Sequence, residues 1–222
     1  MTSAPALRPK HAATLLILRR DAGPLRVLMG RRVRGHAFMP DKWVFPGGRI
    51  APADYRVAAA RPPAPDQLAL TARACADCQR RARALMATAI RETFEETGLI
   101  LGQPGQAASR SPNWQPFLNT GHLPDLAPLR LVGRAITPPL RSRRFDARFF
   151  TVDARHLASP HPTSGSGELD EVAWFTIEEA EALDLPSITR ALLADVTARE
   201  HDPSRPVPYH RFDHGQHRLL SV

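Results

Sequence analysis

An apolar block, Ala12-Ala13-Thr14-Leu15-Leu16-Ile17-Leu18, is followed by the turn-forming Asp21-Ala22-Gly23-Pro24, and apolar character resumes at Leu25-Arg26-Val27-Leu28-Met29. Short apolar runs bounded by turn residues predict a buried strand, here Ala12 to Arg19, and its returning partner in a hairpin. Lys42-Trp43-Val44-Phe45 adds a short strand that runs into Pro46-Gly47-Gly48. Without Cβ atoms the two glycines allow tight turning and close approach of a ligand to main-chain carbonyls. Arg130 to Ile136, Phe145 to Val152 and Glu168 to Phe175 read as further strands. From Asp66 the pattern becomes helix-forming, with Leu68, Leu70, Ala72, Leu85, Met86, Ala89, Ile90 and Phe94 as its apolar positions. One helix is expected there, with Ala72 to Arg80 helical, followed by a second from Arg83 to Thr97 that Gly98 ends as a left-handed cap. Thr176 with Glu179 forms a capping-box pattern that opens a short helix, and Ser187 is expected to cap a last one through Glu200.

The remaining segments read as connections. Residues to Lys10 are loose, Arg31 to His36 form a basic loop, and the proline-rich stretch Ala51 to Pro65 is irregular. Gln103 to Pro128 reads as a long loop with a short helix around Trp114 to Asn119, and Ser159 to Gly167 as another loop. Strands wrapped by a few helices predict an α/β or α+β protein rather than a helical bundle. At 222 residues the chain has material for one well-buried core. The expected organisation is a single domain over 8–200, followed at 201–222 by a tail or closing hairpin around Asp213-His214-Gly215.

Composition narrows the partners. The apolar runs are too short to span a bilayer, and Arg19-Arg20 follows the first one without a small-residue cleavage pattern, so a cytoplasmic location and no membrane partner are expected. The formal charge is +8 with a pI near 10.8, and the first fifty residues contain only Asp21 and Asp41 as acidic groups. Such a field suits polyanions, whether nucleotide diphosphates or nucleic acid. Nearly all the positive charge is arginine, which suits bidentate phosphate contacts and equally fits a genomic base composition. Cys75 and Cys78 form a lone CxxC without a second pair, and read as two ordinary thiols. The histidines at 201, 210, 214 and 217 have irregular spacings, which favours an exposed tail or hairpin over a metal site.

The chemistry is concentrated in Arg91-Glu92-Thr93-Phe94-Glu95-Glu96-Thr97-Gly98-Leu99. Residues three and four apart share a helix face, so Glu92, Glu95 and Glu96 converge on one hard cation. A solvated helix face also carries Arg-Glu pairs, but it intersperses lysines, whereas three glutamates on one face repel each other. Together with Phe45-Pro46-Gly47-Gly48, the segment resembles the Nudix box: Gly, five residues, Glu, seven residues, then Arg-Glu-hydrophobic-x-Glu-Glu-x-Gly-hydrophobic. Thr93 stands where an aliphatic residue is usual. Counting from Gly48 the first acidic position falls on Asp54, and counting back from Arg91 it falls on Arg83. The box is therefore read as split by about 29 residues, an insertion at about 55–83.

The resemblance implies a Nudix fold, a mixed sheet sandwiched between helices, and hydrolysis of a nucleoside diphosphate linked to another moiety. It implies Mg²⁺ or Mn²⁺ held by Glu92, Glu95, Glu96 and the carbonyl of Gly48, with Arg91 orienting the carboxylates and Glu95 among the catalytic groups. A base is expected from a later loop, Glu168 first and Glu171 second. Gly47 joins the substrate-binding set. Arg144, Asp146 and Arg148 share a strand face; the two arginines either contact substrate phosphates or form a cross-strand ion pair with Asp146 or an external carboxylate. Thr137-Pro138-Pro139 and Arg-Phe-Asp-x-Arg-Phe-Phe, with the split box, resemble the branch that includes the peroxisomal coenzyme A diphosphatase. Leu220-Ser221-Val222 is not a peroxisomal address, however, and residues 34–40 lack the glutamine-containing motif of bacterial coenzyme A pyrophosphatases. Coenzyme A or its thioesters are the favoured substrates, with ADP-ribose, dinucleotides and nucleoside triphosphates as alternatives. A non-catalytic domain that senses nucleotide or RNA is the rival from another class. The oligomeric state stays open, a homodimer included.

Overall fold

β1 (Lys10–Arg19) lies between two apolar layers: Ala13, Leu15 and Ile17 are buried in one, Leu16 and Leu18 in the other. Successive side chains of a strand point to opposite faces, so a continuous apolar run marks a strand covered on both sides. The computed structural model describes residues 7–21, 23–35, 39–139, 141–163, 167–213 and 215–222. The expected loose N-terminus, the Arg31–His36 and Ser159–Gly167 loops and the Asp213-His214-Gly215 turn lie partly outside the described residues.

β2 (Arg26–Arg32) returns antiparallel to β1, β3 (Trp43–Val44) pairs with β2, and β4 (Gly47–Arg49) pairs with the start of β1. After α1 (Pro65–Arg73) and α2 (Gln79–Thr97), a small ribbon of β5 (Gly102–Pro104) and β6 (His122–Pro124) encloses α3 (Gln115–Leu118). β7 (Arg130–Ile136) and β8 (Phe145–Asp153) form a hairpin, then β9 (Leu169–Thr176) leads to α4 (Ile177–Ala182) and α5 (Ser187–His201). β10 (Pro208–Asp213) and β11 (Gln216–Ser221) are a closing hairpin.

Among the described residues the main sheet has the order β11-β10-β7-β8-β1-β2-β3, with β4 attached to β1 and β9 to β2. β1–β8 and β7–β10 are parallel and the remaining pairs antiparallel, which makes the sheet mixed. Leu85, Met86, Ala89 and Ile90 of α2 pack on one face, and Leu192, Leu193 and Val196 of α5 on the other. The result is the expected α+β sandwich, a mixed sheet between helices. Among the described residues no helix is long and apolar enough to cross a membrane.

Several boundaries differ from the sequence reading. α1 ends at Arg73, and Ala76 and Asp77 take left-handed φ values of 54° and 55°, so the CxxC is a turn between helices rather than part of one. The Ala74 carbonyl, which a continuing helix would have satisfied itself, instead accepts from the Arg148 guanidinium. Both cysteines are free thiols, and burial pushes that of Cys75 up. α2 begins four residues earlier than expected and ends as expected at Gly98, with φ of 72°. Pro186 occupies the cap position of α5 and Ser187 is its first helical residue. The Thr176–Glu179 capping box is formed in full.

Candidate active site

The site is organised around a buried ion pair. Asp54, fully buried in the turn after β4, accepts from Arg91 Nε at 2.9 Å and Nη2 at 3.0 Å. Three more donors close on the same carboxylate: Trp114 Nε1 at 2.9 Å, Thr88 Oγ1 at 2.8 Å and the Ala51 amide at 2.8 Å. Arg91 is 2% exposed; its Nη2 also donates to the Arg49 carbonyl at 2.9 Å, and its Nη1 reaches Glu92 at 2.9 Å and Glu95 at 3.0 Å. Burial works against the Arg91 charge, but the Asp54 hydrogen bonds and the nearby Glu92 more than offset it, so its pKa lies above the ordinary arginine value. The two ways of counting the split box are thereby reconciled. Asp54 meets Arg91, whereas Arg83 turns away and donates to the Val57 carbonyl at 2.6 Å.

The glutamates on α2 lie beside the glycine strand. A Cβ on Gly48 would overlap the Glu92 carboxylate, so only glycine lets this backbone and this side chain share the space. Glu96, 4% exposed, accepts from the Gly47 amide at 3.0 Å. Burial pushes Glu92 up to about 7 and Glu96 up to about 8, and raises Glu95 as well. Arg91 opposes the shift at Glu92 and Glu95, and Arg32 opposes it at Glu96. Thr93 is fully buried where an aliphatic side chain was expected, and it satisfies its hydroxyl by donating to the Ala89 carbonyl at 2.8 Å.

Among the described residues, no three His, Cys, Asp or Glu side chains form a ready-made metal cluster. Glu92 and Glu95 lean on Arg91, and Glu96 is tied to Gly47. The donor chemistry nevertheless fits a hard divalent ion. All the donors are oxygen, burial raises the carboxyls above their ordinary range so that a cation would favour their ionised forms, and such ions keep waters and take substrate oxygens rather than requiring an all-protein cage.

Glu92, Glu95, Gly47, Gly48 and Glu168 line one continuous cleft of about 1220 Å³. Glu168 is close enough for its charge to raise Glu95 and Glu96. Glu171, the second choice for a base, instead faces Arg31 at 3.4 Å. The expectation of phosphate contacts from Arg144 and Arg148 needs correction. Arg148 is 1% exposed and is consumed by the Ala74 carbonyl at 3.1 Å, the Asp146 carboxylate at 3.0 Å and His11 at 3.1 Å. Arg144 ties down the chain by donating to the carbonyls of Leu7 at 2.7 Å and Thr137 at 3.1 Å. Asp146 also pairs with Arg134 at 2.9 Å, so Arg148 takes the ion-pair alternative, whereas Arg144 holds backbone carbonyls. The arginines that line the cleft are others, including Arg49, Arg141 and Arg143.

Trp114 and Thr88 had no place in the sequence-derived site. An isolated tryptophan within a Ser-, Asn- and Pro-rich segment was the available signal, because a buried indole N–H needs an acceptor. Nor did the sequence point to His210, Phe212 and His217, which line the far end of the cleft.

No protein-family model matches the sequence, and no curated protein does. Among solved structures, a NUDIX hydrolase from Alicyclobacillus acidocaldarius is 30% identical over 86% of this chain and 92% of its own, with a TM-score of 0.65. The chain belongs to the Nudix hydrolase family. It is a hydrolase acting on diphosphate linkages, in a family that generally uses divalent metal ions. Two more distant structures share the fold. The NUDIX domain of Shewanella oneidensis NrtR, complexed with ADP ribose, is 12% identical over 87% of this chain and 90% of its own, with a TM-score of 0.52. A MutT protein from Methanosarcina mazei is 18% identical over 88% and 99%, with a TM-score of 0.50.

Proposed function

We propose that the protein is a Mg²⁺- or Mn²⁺-dependent diphosphatase whose substrate is a nucleoside diphosphate linked to a second moiety, coenzyme A or an acyl-coenzyme A being the favoured class. The observation that carries this reading is the Asp54–Arg91–Glu92/Glu95 network beside Gly48, which brings the two separated parts of the box-like sequence together across the interruption. Glu92, Glu95, Glu96 and the Gly48 carbonyl would hold the ion, which when bound polarises the phosphoryl group and neutralises the leaving group. Arg91, fixed by Asp54, orients Glu92 and Glu95 through its Nη1. Glu168 lines the same cleft, near enough for its charge to act on Glu95 and Glu96, and is our choice for the group that takes the proton from the attacking water. The products are a phosphorylated moiety and a nucleotide.

The coenzyme A preference rests on the split box and the strand motif, and the structure joins the two physically. Arg148 of the strand motif hydrogen-bonds Ala74 of the insertion. Gly47 completes the substrate-binding set, but Arg144 and Arg148 do not belong to it. ADP-ribose, which the Shewanella domain binds, dinucleotides and nucleoside triphosphates are the alternatives. We read 8–200 as one domain with an insertion at about 55–83, closed by 201–222, acting in the cytoplasm.

The test is incubation of the purified protein with Mg²⁺ or Mn²⁺ and coenzyme A, ADP-ribose, a dinucleoside polyphosphate and nucleoside triphosphates, with products resolved by chromatography. Metal-dependent cleavage of coenzyme A that Glu96→Gln abolishes supports the reading. Cleavage of another member alone overturns the substrate preference, and no turnover of any member overturns the hydrolase assignment.

A further inference from the structure

The cleft extends well beyond the carboxylates, and the sheet register shows how. Arg49 of β4 pairs with Ala12 of β1, Ala12 with Ala147 of β8, Ala147 with Ala135 of β7, and Ala135 with His210 of β10. Paired residues share a face of the sheet, so three alanines in consecutive register form a shallow floor where larger side chains would fill the space. Ala12, Ala135 and Ala147 all line the cleft. Neighbouring strands lie about 4.8 Å apart, so the four steps from β4 to β10 cover about 19 Å. That is more than a diphosphate needs, and it leaves room for a nucleoside and the moiety linked to it.

The far end of this trough is aromatic. His210 and Phe212 are two apart on β10 and therefore on one face, and Phe212 pairs directly with His217 of β11. The His210 and His217 rings stack with centroids 5.3 Å apart at 21°, and Phe212 leans on His217 at 5.6 Å. Phe212 remains 39% exposed, a large apolar ring left facing the opening. Burial, helped by His217 and opposed by Asp195, holds His210 below its ordinary pKa. Flat aromatic rings of this kind are suited to the face of a nucleobase.

We propose that the β10–β11 hairpin is the specificity element of the enzyme, and that Phe212, His210 and His217 stack on the nucleobase of the substrate whose diphosphate lies at Glu92 and Glu95. This rests on the diphosphatase reading of the other end of the cleft, so the experiment separates the two.

Steady-state kinetics on the full chain with its best nucleotide substrate are compared with those on phosphoribosyl diphosphate, which has a diphosphate and no base. Phe212→Ala and His217→Ala are expected to raise KM for the nucleotide about tenfold, with kcat within about twofold and phosphoribosyl diphosphate turnover unchanged. Phe212→Tyr should retain the wild-type KM and Phe212→Leu should not, which separates stacking from hydrophobic filling. Independently of turnover, titration with AMP in EDTA should shift the His210 and His217 ring resonances, and Phe212→Ala should weaken that response. Unchanged KM in both alanine variants, or no histidine shift with AMP, overturns the proposal while leaving the hydrolase assignment standing. Phe212-dependent AMP binding by a protein that turns over no diphosphate would leave the stacking site standing and overturn the hydrolase assignment.

Discussion

Asp54 shows how much one position determines. It is a methylene shorter than the glutamate of the family pattern, yet five donors surround it and Arg91 reaches it with two nitrogens. Removing one member of a buried pair strands the other charge, so Asp54→Ala should cost about 3–5 kcal/mol in urea unfolding and should also free the Arg91 guanidinium from its fixed position. Gly48→Ala carries a different signature. The new methyl collides with the Glu92 carboxylate rather than with backbone, so activity should fall about 10- to 100-fold while the urea midpoint stays near wild type. The glutamates link pH to stability. Glu92 and Glu96 titrate in the folded protein near 7 and 8, above the ordinary carboxylate value of 4.5, so the folded state binds the extra protons. Their contribution is fully present below about 4.5 and is lost as pH rises through 7 and 8. Metal-free protein should therefore melt at progressively lower temperature from pH 5 to 8.5, Mg²⁺ should flatten the slope, and Glu96→Gln should remove much of it. The motif residues were legible in the sequence because helical spacing fixes which side chains share a face. The partners of Asp54 were not, because Trp114 is 60 residues away and only packing brings it there.

At the scale of elements, periodicity located most strands and helices, and the errors fall where local rules do not apply. The CxxC segment is rich in helix formers, but two non-glycine residues take left-handed backbone there, at a cost that tertiary contacts must offset. Arg148 provides one such contact: its guanidinium fastens the end of α1 to the sheet through the Ala74 carbonyl, while Asp146 and His11 hold it from the sheet side. Arg148→Leu removes a charged donor to a backbone acceptor while Arg134 continues to pair with Asp146, so a loss of about 1.5–3 kcal/mol is expected. Hydrogen exchange should accelerate at residues 70–78 more than in α2, and Arg148→Lys should restore only part of the protection, because an ammonium lacks the planar fork. The small β5–β6 ribbon escaped the sequence reading because its three-residue strands lie in a Gly- and Pro-rich stretch where alternation has no length to show itself.

Across the whole molecule, the class of fold followed from strands interleaved with helices, whereas the cleft depends on register between strands far apart in the chain. Gly48, Glu92, Glu168 and His210 line one opening, although they are spread over more than 160 positions of the chain. The net charge acts at this scale too. With a formal charge of +8 and Arg49, Arg141 and Arg143 lining the cleft, the field around the opening draws in a polyanionic substrate before any contact forms. Steering of this kind acts on encounter and is screened over about 10 Å at 0.1 M salt, whereas the Asp54–Arg91 pair is buried and shielded from ions. At fixed saturating Mg²⁺, raising KCl from about 20 to 300 mM should therefore lower kcat/KM several-fold and leave kcat almost unchanged. An equal fall in both would place the salt effect in the carboxylate site itself. An effect confined to kcat/KM, reduced in an Arg141→Gln/Arg143→Gln double variant, would assign it to the basic rim of the cleft.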